Sequence, residues 1–147
     1  MKPTVVLAGN LAAPSAALYM ASAAPVSGTP VMLTGALPDQ ARRVIVTAGS
    51  EAAQRTMKIT GTARNGNIIS ETVTIPATTA GAYQTLQDFA SVTQGLPGGG
   101  GWTAAATIGT NTVASSAWVQ VDRHLTPINI GIGVINLSAC NWTVEYT

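Results

Sequence analysis

The sequence predicts an all-β protein: a β-sandwich or jelly-roll-like antiparallel domain with an extended N-terminal arm. Apolar and polar residues alternate with a period of two in several stretches, which is typical of half-buried strands. Thr, Val and Ile are frequent, and turn signals recur about every ten residues, as in sandwiches and jelly rolls. We therefore divide the chain into an arm of residues 1–38 and a single sandwich domain of residues 39–147.

The predicted arm is rich in Ala, Ser, Gly and Pro. Pro14, Pro25, Pro30 and Pro38 disfavour a regular helix or a central strand, because proline lacks a backbone N–H. The segment is also longer than an ordinary loop. Contact with a neighbouring subunit would order it. The alternative is a local edge strand or loop that covers the domain's own sheet, and both interpretations stay open.

The first strand of the domain is predicted at residues 43–47, and a β-hairpin follows it. Residues 56–64 alternate, with Met57, Ile59 and Ala63 on one face and polar residues on the other. Residues 67–75 alternate again after an Asn-Gly turn signal. The two stretches therefore form paired, half-buried strands.

The hydrophobic pattern also predicts the length of the hairpin loop. A two-residue loop would place Val73 on the face that holds Lys58 and would bury charge. A three-residue loop, residues 64–66 with a left-handed Gly66, places Val73 opposite Met57 instead. Because a one-residue slip moves every side chain to the other face, the three-residue loop is predicted.

This register predicts two further pairs of opposite residues and leaves one exception. Ala63 is predicted opposite Asn67, and Lys58 opposite Thr72. Glu71 then faces the apolar Ile59. We expect this carboxylate to lie near the edge of the hairpin or to pair with an arginine.

The later strands are predicted from the same alternation, which is clearest in the last two. They are residues 87–93, 103–108, 118–121, 128–134 and 140–146. Residues 95–101 end in four consecutive glycines before Trp102 and predict a flexible or tightly turning loop.

The surface of this protein is predicted to be unusually poor in charge. Only 9% of the residues are charged, against about a quarter in an ordinary soluble domain. A folded chain of 14.9 kDa exposes on the order of 7,000 Å², or roughly one charge per 500 Å² here. Large neutral patches of this kind contact other molecules. The composition therefore predicts a subunit whose surface is covered by other subunits.

The low charge does not indicate a membrane segment or a nucleic-acid-binding protein. The most apolar stretch, residues 5–24, is interrupted by Gly9, Asn10 and Pro14, so it predicts neither a membrane span nor a signal peptide. The basic residues are dispersed and form no phosphate-binding stripe, so no nucleic-acid partner is expected. Cys140 stands alone, which excludes an internal disulfide and favours folding in a reducing cytoplasm.

The motifs of catalytic chemistry are missing or incomplete. The glycine run lacks the Lys-Ser or Lys-Thr of a phosphate-binding loop. His124, the only histidine, lies two residues from Asp122, but no nucleophile motif accompanies them, so a polar strand end is the preferred interpretation. The His, Cys and carboxylate residues show no metal-ligand spacing. We predict no enzyme, no cofactor and no metal site.

Aromatic residues leave one further alternative, a carbohydrate-binding or adhesin module. Trp142 and Tyr146 share the apolar face of the last predicted strand and are core residues. Trp102, beside the glycines, is the one candidate for an exposed platform on which a sugar ring could stack. The competing interpretation of Trp102 is a loop anchor or an interface residue.

Part of the sequence resembles small virion structural proteins of tailed bacteriophages. The matching segments are Arg-Arg-Val-Ile-Val-Thr at 42–47, Met-Lys-Ile-Thr-Gly-Thr-Ala-Arg-Asn-Gly-Asn-Ile-Ile-Ser-Glu-Thr-Val-Thr at 57–74 and Gln-Asp-Phe-Ala-Ser-Val-Thr at 87–93. In that pattern a strand ending in Thr-Gly-Thr turns through Asn-Gly-Asn into a Thr-Glu-Thr strand. The likeness spans residues 41–95, and neither the arm nor the glycine-rich loop belongs to it.

The resemblance implies a structural role in the virion, which assembles in the cytoplasm of the bacterial host. It implies a head decoration or cement protein that forms oligomers and binds the major capsid protein and neighbouring copies of itself, without membrane or nucleic-acid partners. The arm would then attach to adjacent subunits or to the shell. A neck, tail or fibre-attachment component is the alternative in the same class.

Overall fold

The computed structural model of the chain describes residues 15–33 and 41–115. These ranges contain eight strands. They are β1 (Met20–Ala23), β2 (Val31–Met32), β3 (Ala41–Ala48), β4 (Arg55–Thr62), β5 (Ile68–Ile75), β6 (Gly81–Phe89), β7 (Ser91–Gly98) and β8 (Ala106–Ser115). No helix in the described ranges is long and apolar enough to cross a lipid bilayer.

The strands form two four-stranded antiparallel sheets, which confirms the predicted all-β sandwich. The first sheet has the order β1-β8-β3-β6 and the second sheet the order β2-β7-β4-β5. Among the described strands, β1 thus pairs with β8, β2 with β7, β3 with β6 and β4 with β5. Every connection except the β4–β5 hairpin changes sheet, which is the topology of a jelly roll.

The hydrophobic core lies between the inner faces of the two sheets. Strand β4 shows how the sequence builds it, since its buried residues alternate with half-buried or exposed ones. The largest fully buried apolar side chains come from both sheets. They are Val44, Val46, Met57, Ile59, Ile75, Phe89 and Ile108.

The β4–β5 hairpin has the predicted register. Met57 lies opposite Val73, and Lys58 lies opposite Thr72. The Ala63 N–H donates to the Asn67 carbonyl over 2.8 Å, and Gly66 has a φ of 81°. The three-residue loop closed by a left-handed glycine is therefore confirmed.

The remaining predicted strands correspond less closely to the observed ones. Residues 43–47 lie inside β3. The strand predicted at 103–108 begins only at Ala106. The stretch 87–93 is a corner, where the chain leaves the first sheet at Phe89 and enters the second at Ser91. The strands predicted at 118–121, 128–134 and 140–146 lie outside the described residues.

The glycine-rich segment is half strand and half turn. Gly95 and Gly98 lie within β7, so the prediction of a loop from residue 95 is wrong for this half. A Cβ on Gly95 would come within 3.0 Å of the Ile108 side chain of the opposite sheet. Gly99 and Gly100 form the turn, with φ values of 83° and 91° that favour glycine.

The described part of the N-terminal segment belongs to the sandwich. Within residues 15–33, β1 forms an edge of the first sheet and β2 an edge of the second. Tyr19, Met20 and Leu33 are buried in the core. This is the local arrangement that the sequence left open beside a contact with a neighbouring subunit. Residues 1–14 and 34–40 lie outside the described residues.

By compactness the chain divides into two units, and the boundary expected after residue 38 stays a prediction. One unit spans Met1–Ala117, and Trp118–Thr147 form a second. The first unit contains both sheets, including the two strands supplied by residues 15–33. The second unit lies outside the described residues.

Candidate functional site

The distribution of charge narrows the search for a functional surface. Within residues 15–33 and 41–115 three charged residues are buried, three are half-buried and two are exposed. The buried ones are Arg42, Glu51 and Arg55; the half-buried ones are Arg43, Glu71 and Asp88; the exposed ones are Lys58 and Arg64. Only two of these eight charged residues are therefore exposed, so little of the charge in this part of the molecule covers its surface.

The first buried group is the Glu51 cluster, in which Glu51 and Arg55 form an ion pair of 3.3 Å. The Glu51 carboxylate also accepts hydrogen bonds from the N–H of Ala104 at 2.7 Å and from the N–H and hydroxyl of Thr103. The Arg55 guanidinium donates to the Gly99 carbonyl, and the Glu51 carbonyl accepts from the Thr78 N–H. The cluster joins three loops.

The chemistry of the Glu51 cluster is structural. The hydrogen bonds, first from Ala104 and then from Thr103, lower the pKa of Glu51 below its ordinary 4.5, although burial acts in the opposite direction. The side chain is buried and its oxygens are occupied by donors. A carboxylate in this state has no access to a substrate proton, so it stabilises the fold and offers no general base.

The second buried group lies where both neighbours of β3 leave the regular register. Opposite residues 42–45, both β6 and β8 contain extra residues. The Thr85 hydroxyl accepts from the Val44 N–H at 3.0 Å and donates to the Gln87 carbonyl at 2.8 Å. On the other side, the Arg42 guanidinium donates to the Asn111 carbonyl at 3.1 Å. Side chains thus replace hydrogen bonds that the ladder loses at the two bulges.

Arg42 also affects a neighbouring tyrosine. Burial raises the pKa of the Tyr19 hydroxyl to about 12, and the positive charge of Arg42 acts in the opposite direction. Neutral Tyr19 is therefore the state present at physiological pH.

Glu71 joins the edges of the two sheets. Glu71 is on β5 and lies opposite Ile59 of β4, as predicted. Its carboxylate accepts from the backbone N–H groups of Leu86 at 2.6 Å and Gln87 at 2.9 Å, in the β6 bulge. The expected position at the hairpin's edge is confirmed, and the donors in these two bonds are backbone N–H groups.

The outer face of the second sheet is the extended surface that remains, and we call it the threonine face. Its side chains share one side of four neighbouring strands and are mostly uncharged. They are Thr56, Lys58, Thr60 and Thr62 of β4, Ile68, Ser70, Thr72 and Thr74 of β5, Gln94 and Leu96 of β7, and Met32 of β2.

The threonine face is regular over most of its area. Thr56 lies opposite Thr74, and Thr60 lies opposite Ser70. Neighbouring strands in a sheet are about 4.8 Å apart, so these hydroxyls form a regularly spaced array. Met32 is 69% exposed at one edge and Ile68 79% exposed at the other. Such a surface can be covered by another protein at small desolvation cost, since Lys58 is its one charge.

Trp102 is not the exposed platform that a carbohydrate-binding module requires. It is 8% exposed, and its indole N–H donates to the Gly98 carbonyl at 3.2 Å. Its observed role is the loop anchor. Of the aromatic side chains in residues 15–33 and 41–115, none is exposed.

Asp122, His124 and Cys140 lie outside the described residues, so the interpretations of these residues stay predictions. Within the described ranges, no group of three or more His, Cys, Asp or Glu residues could hold a metal ion.

Sequence reasoning found the β4 and β5 part of the threonine face and missed the Glu51 cluster. The alternation of residues 56–64 placed the β4 side chains on one face. Met32 and Gln94 were missed because their place in the sheet depends on strand order. Glu51 was missed because Thr103 and Ala104 are about fifty residues away in sequence, and no local pattern marks such a contact.

Comparison of the chain with protein-family models, with curated proteins and with solved structures found no match.

Proposed function

We propose that this chain is a non-enzymatic structural protein of a bacteriophage virion. Its proposed role is that of a capsid decoration or cement protein, which binds and stabilises the lattice of the major capsid protein beside neighbouring copies of itself. The observation that supports this most is the near absence of exposed charge. Across residues 15–33 and 41–115 only Lys58 and Arg64 are exposed charged residues.

The arrangement of the second sheet supports a contact with a large, flat partner. A protein shell offers such a surface, and a neutral threonine face can meet it without removing many charges from water. Jelly rolls are also common among viral capsid proteins, although they occur in lectins and cupins as well. That second argument is an analogy of fold and supports the class of function only.

The buried ionisable groups support a role without catalysis. Glu51, Arg42 and Arg55 are held by hydrogen bonds inside the domain. Activity usually needs such groups in an accessible cleft. In this protein their observed contacts join loops and fill bulges.

A pair of matched arginine variants tests the proposal. Thr60→Arg places a charge in the middle of the threonine face, and Ala82→Arg places the same charge on an exposed position of the first sheet. Purified protein is added to phage heads that lack it, and bound copies are counted by quantitative gel analysis. We expect Thr60→Arg to weaken binding by about tenfold or more, because a buried unpaired charge costs more than the ~1.4 kcal/mol that tenfold represents.

The Ala82→Arg control should bind as the wild type does. Equal binding of all three proteins would show that the threonine face is not the contact surface, and no binding of wild type to any head would contradict the decoration role. The number of copies per particle distinguishes the possible positions of the protein in the virion. Hundreds of copies indicate the shell, whereas the few copies of a single symmetric ring indicate the neck, tail or fibre-attachment alternative.

A carbohydrate-binding or adhesin module receives less support. The feature that would distinguish it is an exposed Trp102, and this side chain is buried. Binding of the wild type to a glycan array would nevertheless restore this alternative, since that result needs no assumption about which residue makes the contact.

A further inference from the structure

Within residues 15–33 and 41–115 the two sheets have four edge strands, and three of these are protected against pairing with another chain. β1 has four residues and a register shift. β2 has two residues. β6 contains a bulge, where the Leu86 and Gln87 N–H groups are bound by Glu71. Short strands, bulges and inward-pointing charges are the usual devices by which proteins prevent edge-to-edge association.

β5 is neither short nor bulged along its outer edge, and its one inward-pointing charge, Glu71, is bound by the Leu86 and Gln87 N–H groups of its own chain. It is eight residues long, and its register with β4 is unbroken from the Arg55–Ile75 pair to the Thr62–Ile68 pair. The strand contains neither proline nor a basic residue. Among the described residues, no strand pairs with this edge.

The hairpin geometry shows which backbone groups face the open edge. Ala63 and Asn67 are joined by a hydrogen bond next to the turn. Hydrogen-bonded and non-hydrogen-bonded pairs then alternate along an antiparallel ladder. Ile69, Glu71 and Val73 therefore bond to β4. The N–H and C=O groups that point away from β4 belong to Ile68, Ser70, Thr72 and Thr74.

We propose that β5 pairs in antiparallel fashion with β5 of a second copy of this chain. A two-fold axis would then join the second sheets of two copies into one continuous sheet, with both threonine faces on the same side. The inference goes beyond the proposed function and does not depend on it.

A second copy is the occupant because β5 is electrostatically compatible with itself. Its one charged residue, Glu71, points inward and binds the Leu86 and Gln87 N–H groups of its own chain. The side chains on the outer face of the strand, from Ile68 to Thr74, are neutral. Two identical strands therefore meet without an unpaired charge, which is what a symmetric, self-complementary contact requires.

Charge also selects the register. Two symmetric registers preserve the longest overlap, one centred on Glu71 and one centred on Thr72. The first would place two carboxylates directly opposite each other, which is unfavourable in a sheet. The second places Thr72 opposite its own symmetry mate and Ser70 opposite Thr74, so that Glu71 lies beside Val73. We assign the register centred on Thr72.

The first experiment removes an edge donor without disturbing the hairpin. Thr72→Pro deletes an N–H that points away from β4, and proline is tolerated on edge strands in this orientation. Thr72→Lys is the second variant, and Ala82→Lys on the first sheet is the matched control. Sedimentation equilibrium measures the dimer dissociation constant, and circular dichroism verifies folding. If Thr72→Pro does not fold, Thr72→Lys decides.

We expect a dimeric wild type and dimeric Ala82→Lys, and an increase of about 100-fold in the dissociation constant for both Thr72 variants, as for loss of a central contact. A wild type that is monomeric throughout the micromolar range overturns the inference. So does a folded Thr72 variant that dimerises as the wild type does. Dimerisation is measured without phage heads, so failure to bind heads contradicts the proposed function and leaves this inference standing.

The second experiment tests the register by disulfide formation. In a Cys140→Ser background, Thr72→Cys places two thiols opposite each other, and directly paired residues have Cα atoms about 5.5 Å apart, within disulfide range. The control, Ser70→Cys, places each thiol opposite Thr74. We expect rapid cross-linked dimer for the first variant and little for the second. Faster cross-linking of Ser70→Cys would overturn the assigned register.

Discussion

The two sheets of this jelly roll have the same number of strands but differ in regularity. In the first sheet, both neighbours of β3 depart from the regular register, and Arg42 and Thr85 replace lost backbone hydrogen bonds. In the second sheet, the β4–β5 ladder is unbroken, and the β4–β7 ladder shifts once, between Thr60 and Gly61. In the first sheet, polar side chains therefore form hydrogen bonds inside the domain. In the second sheet, they lie on the outer face. This difference is the reason why the second sheet is proposed as the contact surface and the first as the scaffold.

The largest loss of stability is expected from a substitution of Glu51. The Glu51 cluster lies between β3 of the first sheet and β4 of the second. Glu51→Gln removes the partner of the buried Arg55 and places an amide against several donors. Breaking one side of a buried ion pair is strongly destabilising. We expect a lower melting temperature for this variant than for Thr85→Val, Thr60→Val or Glu71→Ala, measured by circular dichroism at pH 7.

The same variant should change the dependence of stability on pH. The folded-state pKa of Glu51 lies below its ordinary 4.5. Its contribution to stability is therefore complete above pH 4.5 and is lost as the pH falls from there through the folded-state pKa. The melting temperature of the wild type should decline below pH 4.5 more steeply than that of Glu51→Gln. Parallel curves would show that Glu51 is not the titrating group.

The next largest loss of stability is expected from Thr→Val in the first sheet, compared with the same substitution in the second. Thr85→Val keeps the shape of the side chain but leaves the Val44 N–H and the Gln87 carbonyl without their buried partner. We expect a loss of about 1–3 kcal/mol in the free energy of unfolding, measured by urea denaturation. Thr60→Val makes the same change on the threonine face, where a surface substitution costs within about ±0.5 kcal/mol. Equal losses would refute the difference between the sheets.

The smallest loss of stability is expected from Glu71→Ala, where an edge of one sheet contacts an edge of the other. Glu71→Ala removes the acceptor of the Leu86 and Gln87 N–H groups. Because the site is partly exposed and water can replace the carboxylate, we expect a loss of about 1 kcal/mol or less. Hydrogen exchange at Leu86 and Gln87 should accelerate, while exchange in β4 stays unchanged. Unchanged exchange at those two amides would contradict the capping role of Glu71.

Local features of the fold were predictable where one short stretch held all the information. The hairpin register followed from residues 56–75, since a slip by one residue would have buried Lys58. The pattern across the corner at Phe89–Ser91 predicts one strand, because local alternation does not reveal a change of sheet. The glycine-rich segment is similarly divided by packing, where Ile108 of the opposite sheet approaches Gly95.

The amino-acid sequence by itself determined the strand class, the hairpin with its turn and the scarcity of charge, because these depend on periodicity, on neighbouring residues and on composition. Only the tertiary structure decided that β1 pairs with β8, that residues 15–33 supply a strand to each sheet, and that Glu51 meets Thr103 and Ala104. Those contacts join residues far apart in the chain. Their free energy depends on how whole sheets pack, and no local pattern records it.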